Sequence, residues 1–428
     1  MRMSRQLTSL GAVMLAAVTL AGPASGGEIV YWSMWNDQEP SAKEIASLAR
    51  QYMQAHPDTK ISITFNGRQN QVKVRTALTG GTRIDLIDGE LDNLAGGIVA
   101  SGGAAPLDDL LASPGPDGEA KFSDLFLPSL IDVAKHDGVT YQIPYDYNPY
   151  AFYYNKRIWA DAGITEVPGT WDDLLAALEK VKNSGKSGLA VESDAAVYNI
   201  KYFTYMLERK LGPGFLVSAV EDKTGESWRN PEVRAAMQAL RVLWDKGYVP
   251  AESKGYQWPA AQQTIALGET SAELVGSWLP IELAEMAGPD FSWGTFPFPT
   301  VDGKGDPGHV EVLLVSYAML KDTPVKSEVE DFIKFMLSKA SQETYSTKAL
   351  RPTVNKSVEW PAQLAEAHAI AANATLIMSE DNGLKAKYPD YVTNILEPMS
   401  NKAFLGNLTP DQFVDELVKQ TKNYWALK

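Results

Sequence analysis

Between residues 29 and 88 the chain alternates β-rich runs with helix-spaced apolar positions, and that alternation limits the folds open to it. Ile29-Val30-Tyr31-Trp32 reads as a buried strand. Pro40 to Ala55 follows as a helix, with Ile45, Leu48, Ala49 and Tyr52 at helical spacing. Ile61-Ser62-Ile63-Thr64-Phe65 alternates as a second strand, Gln71 to Leu78 forms a second helix, and Asp85-Leu86-Ile87-Asp88 a third strand. Such a rhythm predicts an α/β protein built on mostly parallel sheet flanked by helices. Later segments agree. Thr170 and Asp173 make a capping box ahead of Leu174, Leu175, Leu178 and Val181. Asn230-Pro231 opens another helix; Glu328 to Ser338 and Pro410 to Trp425 are amphipathic, the latter capped by Thr409. Gly- and Pro-rich stretches at 113–118 and 302–308 are loops, and no internal repeat is present.

The N-terminus reads as an export signal. Arg2 and Arg5 precede an uncharged apolar run, Leu10 to Leu20, and Ala24-Ser25-Gly26 supplies small residues for cleavage. Eleven residues are too few to span a bilayer, which needs about 20. Cysteine is absent throughout, which excludes disulfides, cysteine metal sites and a lipidated cysteine at the cleavage point. A cleaved, unlipidated and freely diffusing periplasmic protein is the expectation. Removing Arg2 and Arg5 moves the net charge from −14 to −16, a sign that opposes nucleic-acid partners. About 400 mature residues exceed one core and predict two lobes.

Ligands of open α/β sheets bind beyond the carboxyl ends of strands. There the chain places Trp35-Asn36-Asp37, Gly67-Arg68-Gln69 and Gly89-Glu90-Leu91-Asp92. Catalytic motifs are poor by comparison. Gly303 to Gly308 matches a dinucleotide fingerprint by letter, but in a polar loop with a proline where a helix would begin. No Gly-x-Ser-x-Gly elbow occurs, and His56, His136, His309 and His368 never fall at metal-ligand spacing. No cofactor is called for.

Residues 141–182 carry the most specific pattern: an Ile-Pro strand, Tyr153-Tyr154-Asn155-Lys156, then Ala162-Gly163, then Gly169-Thr170-Trp171-Asp172-Asp173-Leu174. This resembles the carbohydrate ABC-importer binding proteins of the maltose-binding-protein-like family. Asp85-Leu86-Ile87 leading to Pro106-Leu107-Asp108-Asp109-Leu110, Gly276-Ser277-Trp278, and Phe332-Ile333-Lys334-Phe335 leading to Arg351-Pro352 extend the likeness along most of the chain. The resemblance implies a two-lobed periplasmic-binding-protein fold. Lobe 1 would take 27–146 and 314–357, lobe 2 would take 149–308 and 358–428, and hinge crossings would lie near 146–148 and 309–313. It implies ligand contacts at Trp35, Asn36, Asp37, Glu90, Asp92, Asp146, Tyr147, Asn148, Trp278, His309, Glu311 and Arg351, to which the strand-end reading adds Arg68.

A pyranose suits such residues. Its C–H faces stack on indole and phenol rings, and its hydroxyls match Asp, Asn, Glu and Arg. The expected function is sugar capture by lobe closure and delivery to the importer's membrane permease, by a monomeric non-enzyme. Two alternatives stay open. Arg68, His309 and Arg351 would suit an anionic sugar derivative or glycerol phosphodiester in the same fold, and a carboxylate pair such as Asp88 and Glu90 would suit a periplasmic glycoside hydrolase.

Overall fold

β1 (Glu28–Ser33) pairs in parallel with β2 (Lys60–Phe65), Ile29 opposite Ile61, and with β3 (Leu86–Glu90), Tyr31 opposite Leu86. The computed structural model describes residues 27–428, so the export signal read at 1–26 lies outside the described residues. A short hairpin, β4 (Lys135–His136) with β5 (Val139–Thr140), leads into β6 (Ile143–Asn155), which is buried at every position. β7 (Ser187–Leu189), β8 (Thr270–Gly276), β9 (Trp293–Phe296), β10 (His309–Met319) and β11 (Leu376–Met378) complete the strands. The main sheet runs β2-β1-β3-β10-β6-β8-β7, with β9 on β6 and β11 on β10.

Parallel pairing holds within β2-β1-β3, for β7 on β8 and for β11 on β10. The sheet as a whole is mixed, not mostly parallel. β10 runs antiparallel to β3 and to β6, and β6 antiparallel to β8 and β9. The reason lies in length. At about 3.3 Å per residue the 13 residues of β6 reach roughly 43 Å, more than one small sheet needs. Its first half pairs with β10, up to Pro149 opposite Val312, and its second half pairs with β8 and β9. Proline has no N–H to give a ladder, and Pro149 stands where the strand changes partners. β10 retraces the same path in the opposite direction, so the two central strands are antiparallel.

The helices form where caps and apolar spacing place them. Thr170 Oγ1 accepts the Asp173 N–H at 3.1 Å while the Asp173 carboxylate accepts the Thr170 N–H at 3.1 Å. Asn230 caps Pro231–Asp245, and Thr409 caps Pro410–Ala426. The helix Pro40–Ala55 packs against Lys326–Leu337 and Lys339–Ala349. Phe332 there meets Tyr31 and Tyr52 edge-on at 6.3 and 5.3 Å. On the other side, Ala196–Leu211 packs with Pro231–Asp245 and Glu397–Phe404. Residues 303–308 form turns and no helix, which removes the structural context a dinucleotide fingerprint needs. No described helix is long and apolar enough to cross a membrane.

Candidate functional site

A cavity of about 180 Å³ opens where the two halves of the sheet meet. The β2-β1-β3 side contributes Met34, Trp35, Arg68, Glu90 and Arg351. The β6–β8 side contributes Tyr150, Tyr198 and Trp278, and β10 supplies Leu313 and Val315 between them. Glu282, Glu380 and Lys385 add charge to the wall. A larger cavity, about 520 Å³, lies against the helix Asn70–Thr79, lined by Val74, Leu78, Ile87, Leu94 and Ile98. It lacks the aromatic rings and convergent charges that distinguish the cleft, so the cleft is the candidate site.

Trp278 is an enclosed indole of the cleft lining, just past the end of β8. It is 7% exposed, with the Tyr150 ring edge-on at 5.4 Å and Tyr198 tilted at 5.8 Å. Gly276 makes this possible, because a Cβ there would fall 2.0 Å from the indole. Trp35 is used differently. Its Nε1–H donates to Tyr145 Oη at 2.8 Å, and the Arg68 and Arg351 guanidiniums lie over its ring at 4.8 and 5.2 Å.

The basic groups of the cleft come with partners. Arg351 donates through Nε to Asp146 Oδ2 at 2.7 Å and through Nη2 to Asp146 Oδ1 at 3.0 Å and Asn148 Oδ1 at 3.1 Å. Arg68 grips Glu39 with two nitrogens, at 3.0 and 2.8 Å. Lys385 donates to Glu380 Oε2 at 3.0 Å, and Tyr150 Oη donates to Glu380 Oε1 at 2.8 Å. Burial alone would raise the Glu380 carboxyl, but Lys385 and Lys201 pull it down to about 2. Behind this wall Lys201 is fully buried, paired with Asp381 at 2.7 Å and with Glu311 and Glu380 at 3.4 Å. Burial raises the Glu90 carboxyl at the cleft. Among the described residues no three His, Asp or Glu side chains converge to hold a metal ion.

Residues 36–343 match the family of bacterial extracellular solute-binding proteins. The chain belongs to that family. A binding protein of Brucella abortus is 24% identical over 62% of this chain and 61% of its own length. The diacetylchitobiose-binding protein DasA of Streptomyces coelicolor is 27% identical over 57% of this chain and 55% of its own. The chain thus matches little more than half the length of these relatives. Among solved structures, a chitin oligosaccharide binding protein superposes with a TM-score of 0.74, at 21% identity, over 94% of this chain and 100% of the other. That likeness establishes the two-lobed periplasmic-binding fold. The glycoside hydrolase alternative is set aside, since the family and these relatives are binding proteins.

Within this solute-binding protein the cleft gathers Trp35, Arg68, Glu90, Trp278 and Arg351 from the residues expected at the ligand. The others lie elsewhere. Asn36 and Asp37 occupy an exposed turn in which the Asn36 N–H donates to Glu39 at 2.9 Å. Asp146 and Asn148 are buried and serve Arg351. Strand side chains alternate, so Asp146, Asn148 and Tyr150 share one face of β6 while Tyr147 takes the other. There Tyr147 packs edge-on against Trp360 at 5.4 Å, beside a separate small cavity. Asp92 and Glu311 are buried behind the wall, accepting the N–H groups of Glu380 at 2.8 Å and Asp381 at 3.1 Å. His309 Nδ1 sits 2.5 Å from Glu208, outside the cleft lining.

Sequence reasoning passed over Tyr150, Tyr198, Glu380 and Lys385. Tyr150 was legible by parity, two residues beyond Asn148. Glu380 and Lys385 follow a strand of only three residues, too short to register as a strand end.

Proposed function

We propose that this chain is the substrate-binding component of an ABC importer, capturing a sugar or oligosaccharide in the cleft and handing it to the membrane permease. One observation carries the reading: Trp278, backed by Tyr150 and Tyr198, faces a wall holding Glu90, Glu380 and Lys385. An apolar sugar face stacks on such a ring while its hydroxyls meet charged partners. The similarity to a diacetylchitobiose-binding protein and to a chitin oligosaccharide binding protein supports a saccharide ligand.

In this reading lobe 1 comprises 27–146 with 314–357 and lobe 2 comprises 149–308 with 358–428, hinged near 146–148 and 309–313. Ligand bridging both lobes favours the closed form, which the permease recognises. The signal at 1–26 directs export, after which the cysteine-free chain diffuses as an unlipidated periplasmic monomer. The cations that suggested an acidic ligand each face a carboxylate already: Arg351 meets Asp146, Arg68 meets Glu39 and His309 meets Glu208.

The test is calorimetry of the exported protein against monosaccharides and oligosaccharides, including diacetylchitobiose, raffinose and galactose. Binding that Trp278→Ala weakens supports the assignment; no binding to any of them sinks it.

A further inference from the structure

Glu90 and Lys385 line the same cavity from different elements, yet they form no direct ion pair. Lys385 spends one N–H on Glu380 at 3.0 Å. An ammonium has three, so two stay without a protein acceptor among the described residues. Glu90 accepts from the Asn93 side chain through Oε2, and its Oε1 has no hydrogen-bond donor among the described residues. An acceptor and a donor therefore face one space.

Both groups are held in place. β3 ends on Glu90. Lys385 stands in the short helix Leu384–Lys387, entered through a turn whose Asp381, Asn382 and Gly383 are all left-handed, with φ of 55, 56 and 80°. Non-glycine residues hold that conformation only where their surroundings compel it. Here the compulsion is visible. Asp92 accepts the Glu380 N–H, Glu311 accepts the Asp381 N–H, and Lys201 neutralises Asp381 from below.

We propose that Glu90 and Lys385 together read one ligand hydroxyl, and that the cleft selects an uncharged sugar over its acidic and amino derivatives. A hydroxyl donates one hydrogen bond and accepts two, so it satisfies both groups at once. A ligand carboxylate would stand against Glu90, and a ligand ammonium against Lys385. Each mismatch leaves a desolvated group unpaired, which is how hydroxyl-matched sites reject close analogues. Asp92 becomes a positioning residue, acting on the ligand only through Glu380 and Lys385.

This rests on the sugar-binding reading, and the experiment separates the two. The wild-type protein is titrated calorimetrically with diacetylchitobiose, raffinose, galactose, galacturonate and galactosamine, and with the chitosan dimer that lacks the acetyl groups. The same neutral sugars are then titrated into Glu90→Gln and into the double variant Lys385→Met/Glu380→Gln, which removes the wall's ion pair without stranding either charge. The expected result is binding of a neutral sugar, at least about tenfold weaker binding of its charged derivative, and a loss of about tenfold or more in both variants. A charged derivative bound as tightly as its neutral parent, or variants that bind neutral sugar like wild type, overturns this inference and leaves the sugar reading standing. Failure of every sugar with the wild-type protein overturns both.

Discussion

Arg351 lies across the face of Trp35, 5.2 Å from its ring centre, with Asp146 holding the guanidinium at 2.7 and 3.0 Å from the opposite element of the fold. The two charged residues are 205 positions apart in the chain. Tyr345 Oη and Asn148 Nδ2 add two more hydrogen bonds to Asp146, at 3.0 and 2.6 Å. An Arg beside a ligand cleft invites assignment as an anion receptor, but this one is already paired with a fully buried carboxylate.

Arg351→Met is therefore expected to act on stability before it acts on affinity. Removing one member of a buried pair costs about 3–5 kcal/mol, because the other charge is left without compensation. Urea denaturation reads the loss directly. Adding Asp146→Asn to the same chain is expected to recover part of it; a double variant no more stable than Arg351→Met refutes the pairing as the cause.

Gly276→Ala places a methyl group 2.0 Å from the Trp278 ring, so the indole must leave its position over the end of β8. Overpacking of this kind costs about 1–3 kcal/mol. Loss of sugar affinity with a shifted tryptophan emission is the expected outcome. Unchanged affinity would show that Trp278 is not the platform.

Glu273 is 2% exposed in β8, and among the described residues it has no cation partner and its Oε2 lacks a hydrogen bond. Burial, then the nearby Glu192 and Glu282, push its carboxyl well above the ordinary glutamate value. A raised folded-state value means the native state binds the proton more tightly than the unfolded chain. Its stability contribution is complete below about pH 4 and is lost as pH rises through the folded value. Asp92 and Glu311, raised mainly by burial to about 7, act with the same sign. The melting temperature is expected to fall between pH 5 and 8, and Glu273→Gln, which fixes the neutral form, to flatten that fall. An equally steep fall in the variant would place the titration elsewhere.

Lys201→Met removes the only cation facing Asp381 and Glu311 within ion-pair reach among the described residues. Those carboxylates are buried, so loss of folded yield, or destabilisation of about 3–5 kcal/mol, is expected from thermal melts. Lys201→Arg keeps the charge and is expected to be milder. A Met variant as stable as wild type would mean that the carboxylates are neutral in the native protein.

Much of the secondary structure was open to reading because its causes are local. The Thr170–Asp173 box, the Asn230-Pro231 start and the Thr409 cap each lie within a few residues of the helix they begin, and each forms as expected. The apolar runs of β1, β2 and β3 likewise declare strands without reference to anything distant. The site was legible only where a residue sits at a strand end, as Trp35 and Glu90 do, or in a specific motif, as Trp278 does. Asp146 and Asn148 were expected at the ligand, whereas in the structure they meet Arg351, a partner that no local pattern announces.

By itself the sequence determined an α/β chain and the caps that start its helices, and its family resemblance pointed to Trp278. Only the tertiary structure decided that β6 and β10 run antiparallel through the centre, that Asp146 neutralises Arg351, and that a short turn after β11 brings Glu380 and Lys385 to the wall. The physical reason is range. Capping and periodicity act over a few residues, whereas a buried charge is satisfied by whichever partner the closed sheet brings near, however far away in the chain.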